Sequence, residues 1–419
     1  MESKTIYGNN YTLNMVKTTK FKTTRLQLSF ANSLNEKTIS KRTLLPYLLK
    51  AISKKYPSRE LMSAYLENMY ATRFNVGVSK IAKTHFINFD LSFINDDYTL
   101  NNDLLFKDAL LFVKEVLFNP YFNEKIFQEE LRLMKEFFNS IYANKLKYAV
   151  VETNKIMFKD EIYRLSALGE ETLLKGITLD DCIAAYHDMI TNDMITINII
   201  GDFDFAKIEK EIKTTFPFSE RDYIPTLVDK STKNITKVTK INKKIAIKQS
   251  KLVIGYRLNA FYHTSNYLGG ILFNTLFGGS GESMLFKEIR EKLGLVYFIS
   301  SSYDPYKSVL FIVSGINKKD YNIVLKTIDK ILEKIINQEY TDEELKIAKI
   351  MQTNGIIESL DSNIGILSRI SRDSLFHDRF DSNKLIEQLN LVTKNDITRI
   401  AKSIKKDTVF LLRDDDKDE

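Results

Sequence analysis

The feature that most constrains this 419-residue chain is that it repeats itself once. Two halves, offset by about 220 residues, carry the same succession of hydrophobic patterns. Two copies of so long a period exclude a solenoid, whose units run to roughly 20–45 residues. Each half opens on a strand-like run, residues 21–30 (FKTTRLQLSF) and 247–258 (IKQSKLVIGYRL). A helical segment follows in each, 42–53 and 265–277, then a loop and a shorter helix, 60–70 and 282–293. Strands with alternating apolar positions come next, 85–94 (HFINFDLSFI) and 309–316 (VLFIVSGI), both ending in Ile-Asn. Amphipathic helices are read at 104–118 and 321–337. In the second, Ile323, Leu325, Ile328, Leu332, Ile335 and Ile336 form a stripe near the helical period. Further helices begin at Asn123 and after Thr341, which has capping-box spacing to Glu344. Strands at 195–201 and 408–412 follow the last helices of the two halves. This order predicts an α+β protein of two duplicated domains, each a mostly antiparallel β-sheet covered by α-helices on one face. The domains are set at 1–220 and 245–419. Between them 221–244, rich in Lys, Thr, Asp and Asn, reads as a linker.

Composition narrows the function. Sixty-one Lys and Arg face fifty-four Asp and Glu, for a net charge of +7, with the signs interspersed. A nucleic-acid binder concentrates its basic charge on one face or element, so nucleic acid is not an expected partner. One cysteine, Cys182, excludes an intrachain disulfide and a cysteine-based structural zinc site, and fits a reducing compartment. Two aspartates precede it and oppose a thiolate, so it reads as a packed residue rather than a nucleophile. The four histidines, His85, His187, His263 and His377, lie too far apart in sequence for a local histidine metal motif. His187 reads as a helix-packing residue and His377 as part of a polar turn. There is no apolar run of about 18 residues and no signal-peptide core, so a soluble cytoplasmic protein without membrane contact is expected. The acidic end, 414–419, reads as a frayed tail.

The most specific string is 277–297, FGGSGESMLFKEIREKLGLVY. A glycine-rich loop leads into a helix that ends near Gly294 and passes into a strand. Glycines ahead of a helix can cradle phosphate, but neither P-loop nor Rossmann spacing is present. The string resembles the M16 peptidase family (insulinase, pitrilysin, mitochondrial processing peptidase). Its members carry Gly-Gly, Ser-x-Leu-Phe and Arg-Glu-Lys-x-Gly-Leu-x-Tyr in the second of two duplicated α+β domains. The length and the Asp342-Glu343-Glu344-Leu345…Lys349 run are similar to the half-size M16B members. The implied fold is the LuxS/MPP-like metallohydrolase fold.

What the resemblance implies about chemistry is mixed. Active members place His-x-x-Glu-His on the first long helix, where two histidines four apart grip zinc and the glutamate activates water. The matching positions here are Tyr47-Leu48-Leu49-Lys50-Ala51. The downstream acidic pair matches Glu129 and Glu136, with Glu136 at the third ligand position. One carboxylate cannot hold a catalytic zinc, which takes three protein ligands, so Tyr47, Lys50, Ala51 and Glu136 are expected to form a degenerate site without metal. Arg290 and Tyr297 match the family's Arg/Tyr pair, which contacts the peptide near the scissile bond. Gly278, Gly279, Ser280 and Gly281 are implied substrate contacts. The chain is thus similar to the YmfF-like branch, a non-catalytic subunit completing a heterodimer with a zinc-bearing partner that keeps the His-x-x-Glu-His motif. The pair would enclose a peptide or unfolded polypeptide. The alternative is a peptide-binding or scaffold protein of this fold outside proteolysis, and self-association of the isolated chain is left open.

Overall fold

The structure is a computed structural model that describes residues 1–101, 103–221, 230–231 and 233–414. Residues 222–229 and 232 of the linker, and the acidic end from 415, lie outside the described residues. The first elements in chain order are β1 (Glu2–Tyr7), β2 (Thr12–Lys17), β3 (Thr23–Ser33), α1 (Ile39–Leu49), α2 (Arg59–Asn68), β4 (Arg73–Ile81) and β5 (Thr84–Ile94). They continue with α3 (Leu105–Phe118), α4 (Glu124–Ala143), α5 (Lys145–Met157), α6 (Leu179–Asn192), β6 (Met194–Gly201), α7 (Phe205–Thr215), β7 (Thr239–Lys244) and β8 (Ser250–Arg257). After α8 (Tyr267–Phe277) and a π-helical turn (Phe286–Lys292) come β9 (Val296–Asp304), β10 (Val309–Ile316), α9 (Tyr321–Ile336), α10 (Asp342–Ser359), α11 (Asn363–Ser374), α12 (Ser382–Leu391), α13 (Lys394–Ser403) and β11 (Lys405–Arg413). The capping box at the start of α10 forms: the Thr341 amide donates to Glu344 Oε2 at 2.7 Å, and the Glu344 amide to Thr341 Oγ1 at 3.1 Å.

Two compact α+β units result, and they interleave along the chain. The first is Met1–Phe138, Leu165–Leu227 and Ser359–Phe380; the second is Asn139–Arg164, Val228–Glu358 and Asp381–Glu419. Consecutive domains at 1–220 and 245–419 would assign α5 and α11 differently. Thr239–Lys244, within the stretch read as a linker, form an edge strand parallel to β11.

In the first unit the sheet order is β1-β2-β6-β3-β5-β4, with β2 and β6 the parallel pair. Alternation along β3 puts Leu26, Leu28 and Phe30 opposite Leu91, Phe89 and Ile87 of β5, all buried. The intervening Arg25, Gln27 and Ser29 oppose Ser92, Asp90 and Asn88, and Arg25 pairs with Asp90 at 2.7 Å. This second face is not left to water. α11 covers β2 and β6, burying Val16 and Ile200 against Ile366, Leu367 and Ile370. Beside them, Asn14 donates to Asn198 and to Ser374, each at 2.8 Å, and Asn198 to Ser371 at 3.1 Å.

In the second unit the order is β7-β11-β8-β10-β9. Leu252, Ile254, Leu310, Ile312 and Leu411 face a core shared with α8, α9 and α13. The opposite face, Val253, Phe410 and Leu412, packs with Ala149 of α5. Gly255 permits that approach, since a Cβ there would lie 2.5 Å from Met157 Sδ. Both sheets thus carry helices on both faces, where one covered face was expected; the second face carries apolar side chains of β8 and β11 in the second sheet and of β2 and β6 in the first, and those side chains need cover.

A buried ion pair ties α1 to the start of β6. Arg42 donates to both carboxylate oxygens of Asp193, at 3.0 and 2.6 Å, with both side chains nearly inaccessible. Asn32 also donates to Asp193 at 2.7 Å. Burial pushes the Asp193 carboxyl up, while Arg42 and Asn32 pull it back. Arg42 Nε meets His85 Nδ1 at 3.3 Å, and His85 Nε2 lies 2.9 Å from the Ala167 carbonyl. Burial, then the Arg42 charge, drives the His85 imidazole from 6.5 down to about 3, so it is neutral in the folded protein.

Removing one partner of a buried pair leaves an uncompensated charge, so Arg42→Met is expected to lower stability by about 3–5 kcal/mol, measured by urea unfolding. His85 adds a pH dependence. Its folded value lies below its unfolded value, so its contribution is complete above pH 6.5 and is lost as pH falls toward 3, by about 1.4 kcal/mol per pH unit. Urea midpoints at pH 7, 6 and 5 should fall more steeply for the natural chain than for His85→Gln.

Candidate functional site

Two places carry the chemistry singled out in the sequence. The first lies where α1 ends. Tyr47 is in the last turn, Lys50 caps the helix, and Ala51 is buried just beyond. Lys50 Nζ sits 4.8 Å from the centre of the Tyr47 ring, a cation–π contact. On α4 the buried positions are Phe127, Glu130, Leu131, Met134 and Phe138. The acid facing inward is therefore Glu130, whose side chain is 8% exposed, and not the pair named from spacing. Arg59, the first residue of α2, donates to Glu130 Oε1 at 2.6 Å and to Glu129 Oε1 at 3.1 Å. Burial, then the charge of Glu130, pushes the Tyr47 phenol up from its usual value. Glu136 stands apart: its side chain is 58% exposed and accepts from Arg132 one turn back, at 2.5 Å. The signal for Glu130 was available in the sequence, because the apolar period Phe127, Leu131, Met134, Phe138 puts position 130 on the buried side.

The second place is the glycine-rich string. α8 ends in a turn where the amides of Gly278 and Gly279 both donate to the Asn274 carbonyl, at 3.0 and 2.7 Å. The Gly278 carbonyl accepts from the Ser301 amide of β9 at 2.8 Å, and Ser280 Oγ donates to the Thr275 carbonyl at 3.1 Å. These three residues bind the turn to its own helix and sheet; Gly281 has open space around it. The helix expected at 282–293 is a wide π-helical turn, in which the Leu293 amide reaches back five residues to the Glu288 carbonyl at 3.0 Å. Such turns recur at functional sites. Arg290 is exposed on it, its guanidinium 4.6 Å from the centre of the Phe286 ring. Among the described residues it has no ion pair, Glu291 included. β9 then forms the sheet edge. Its register against β10 jumps between Val296↔Ile316 and Phe298↔Gly315, so Tyr297 is the extra residue of a β-bulge. The bulge turns its ring outward, 79% exposed, where a regular strand would have packed it.

The remaining candidates are structural in their settings. Cys182 is buried in α6 and its thiol is pushed up to about 12, by burial first and then by Asp181, which removes it as a nucleophile near neutral pH. His187 is exposed and lies edge-on to Tyr186 at 5.2 Å. His377 follows α11 with φ of 53° and packs 5.0 Å from the Tyr7 ring.

Residues 176–351 match the family model described as the peptidase M16 inactive domain. Over 417 residues, 98% of this chain and 97% of the relative, the sequence is 26% identical to the probable inactive metalloprotease YmfF of Bacillus subtilis. A conserved protein from Enterococcus faecalis superposes with a TM-score of 0.93 at 28% identity, each chain fully covered. The chain is similar to the M16 peptidase family. A peptidase M16 inactive domain from Pseudomonas fluorescens shares the fold, with a TM-score of 0.81 at 15% identity over the full length of both chains.

Zinc of the M16 type does not fit the residues present. A phenol, an ammonium and a methyl group stand at positions 47, 50 and 51, and none of these is a neutral imidazole or an ionised carboxylate. Among the described residues, no three His, Cys, Asp or Glu side chains converge as a metal-holding group. No helix of the described residues is long and apolar enough to cross a membrane.

The glycine turn separates by substitution. A Cβ on Gly279 would lie 2.4 Å from Asn274 Nδ2 and 2.9 Å from its backbone oxygen, so Gly279→Ala should cost about 1–3 kcal/mol. Gly281→Ala, with nothing within 4 Å, should stay within about 0.5 kcal/mol of the natural chain in the same denaturation experiment.

Proposed function

We propose that this chain is the non-catalytic subunit of a heterodimeric M16-type zinc metallopeptidase. With a zinc-bearing partner that keeps the His-x-x-Glu-His motif, it encloses an extended peptide and supplies Arg290 and Tyr297 to the partner's active site. One contrast carries this reading. The zinc-binding positions of the first unit hold the wrong donors, while Arg290 and Tyr297 of the second are presented outward with nothing charged engaging them among the described residues.

The physical role follows from what those groups can donate. When water adds to a peptide carbonyl, negative charge gathers on its oxygen, and donors held in advance at that oxygen lower the barrier. A guanidinium without a competing carboxylate keeps its full donor capacity, and its stacking on Phe286 limits the orientations it samples. A phenol on a bulged edge residue projects beyond the strand. The edge strand also offers main-chain groups to an extended peptide, which needs little side-chain specificity. Gly278, Gly279 and Ser280 hold the turn that sets the Arg290 segment, and Gly281 is the loop position left for peptide contact.

The test is reconstitution. Mixed with its zinc-bearing partner, the natural chain should give chelator-sensitive peptide cleavage. Arg290→Ala should lower the rate by about 10²–10³-fold, and Tyr297→Phe should also lower it, with melting curves unchanged. Undiminished turnover in both variants would remove the contribution in trans. Peptide binding without any cleavage in the mixture would favour a scaffold instead.

A further inference from the structure

Arg290 and Tyr297 act on the main chain of a peptide and do not choose which peptide is taken. We propose that β9 carries a side-chain subsite, built on Ser300 beside Val313, which selects one bulky apolar residue of an extended peptide and fixes the peptide's register. This rests on the reading that β9 receives the peptide, and it adds the substrate class.

The main chain limits where a strand can add. β9 pairs with β10 on one side and ends the sheet on the other. Along an antiparallel strand, residues bonded to the neighbour alternate with residues whose amide and carbonyl face away from it. The Ser301 amide faces away, and the Gly278 carbonyl takes it at 2.8 Å. The glycine turn therefore occupies the edge at Ser301 and stops an incoming strand there. Ile299, two residues nearer the Tyr297 bulge, turns its main-chain groups outward by the same alternation. Among the described residues, no main-chain group from a turn or loop meets them. The edge is open at Ile299 and closed at Ser301.

Side chains decide what fits beside that opening. On the sheet face that carries α5, the rows from the edge inward are Phe298, Gly315 and Lys251, then Ser300, Val313 and Val253. α5 lies over β8 and β11, so Val253 is fully buried while Val313 is only partly covered. Ser300 is exposed and small. A peptide side chain opposite Ser300 on this face stands two strand spacings from Val313, roughly 10 Å between backbones. Leu, Met or Phe leaning over the serine reaches Val313, and Ala does not. The Phe298 ring walls one end. It lies close over Gly315, where a Cβ would be 2.7 Å from the ring. Lys251 Nζ, 5.8 Å from the centre of that ring, puts a positive charge at the same end and disfavours a basic side chain. Ser302 is exposed on the same face but lies past the stop at Ser301.

Two alanine-rich peptides that differ by one Leu test the subsite. In the mixture with the zinc-bearing partner, the Leu peptide should have a kcat/KM about tenfold higher. On this chain alone, fluorescence anisotropy should show it bound more tightly by a similar factor. Ser300→Leu, which places the chain's own side chain beside Val313, should bring both ratios close to one, with an unchanged melting curve. Ser302→Leu should leave them as they are. Moving the Leu along the peptide should move the cleaved bond with it, at a fixed spacing. Arg290→Ala reports on the parent reading instead, because it should slow both peptides alike and leave the ratio intact. A ratio that survives Ser300→Leu, or that Ser302→Leu removes equally, would overturn the subsite while the Arg290 effect stands. If the mixture does not cleave, anisotropy decides: equal binding of the two peptides, or none of either, would overturn it.

Discussion

Each sheet of this protein has apolar side chains to bury on both faces, and that fact organises the chain. In the second unit Leu252, Ile254 and Leu411 point one way while Val253, Phe410 and Leu412 point the other. An antiparallel sheet can leave one face wet only if that face is polar. Exposing three large side chains would forgo roughly 5–9 kcal/mol, comparable to the whole net stability of a domain. α8, α9 and α13 build one layer, and α5 supplies cover for the other face. The first unit meets the same demand with α11. Both covering helices come from the corresponding place in the two repeats, after the long helices α4 and α10. The interleaved units follow from that assignment.

Charge placement separates the two units in a comparable way. In the first, cations are engaged: Arg42 by Asp193, Arg59 by Glu129 and Glu130, Lys50 by the Tyr47 ring. In the second, Arg257 is likewise held by Glu161 and Asp407, at 2.6 and 2.7 Å. Arg290 departs from this habit, with an aromatic ring as its contact. A guanidinium kept in water without a carboxylate retains hydrogen-bonding capacity that the engaged ones have already used. The contrast is what makes its exposure, and that of Tyr297 on the bulge, informative about function.

Elements with strong periodicity are legible in the sequence. The run at 309–316 coincides with β10, and 104–118 and 321–337 differ from α3 and α9 by one residue at one end. β1 (ESKTIY) and β7 (TKINKK) were not legible, because they are polar and largely exposed edge strands. They are strands because a neighbour's amides and carbonyls pair with them. The π-helical turn escaped for another reason: its composition suits any helix, and the widening lies in which carbonyl each amide meets. At the first site, spacing drew attention to Glu129 and Glu136, whereas the helical period already placed Glu130 inside.

Side-chain chemistry is a local property, so the sequence alone determined that positions 47, 50 and 51 cannot supply two imidazoles and a carboxylate. It also determined the duplication and the spacing of Arg290 and Tyr297, since periodicity and spacing are written along the chain. Tertiary structure decided which carboxylate turns inward, that Arg59 meets it from about 70 positions away, that Arg290 has no acidic partner among the described residues, and which helix covers which sheet. Those are contacts through space. They depend on where folding brings distant residues together, and no local pattern encodes the partner of a buried charge.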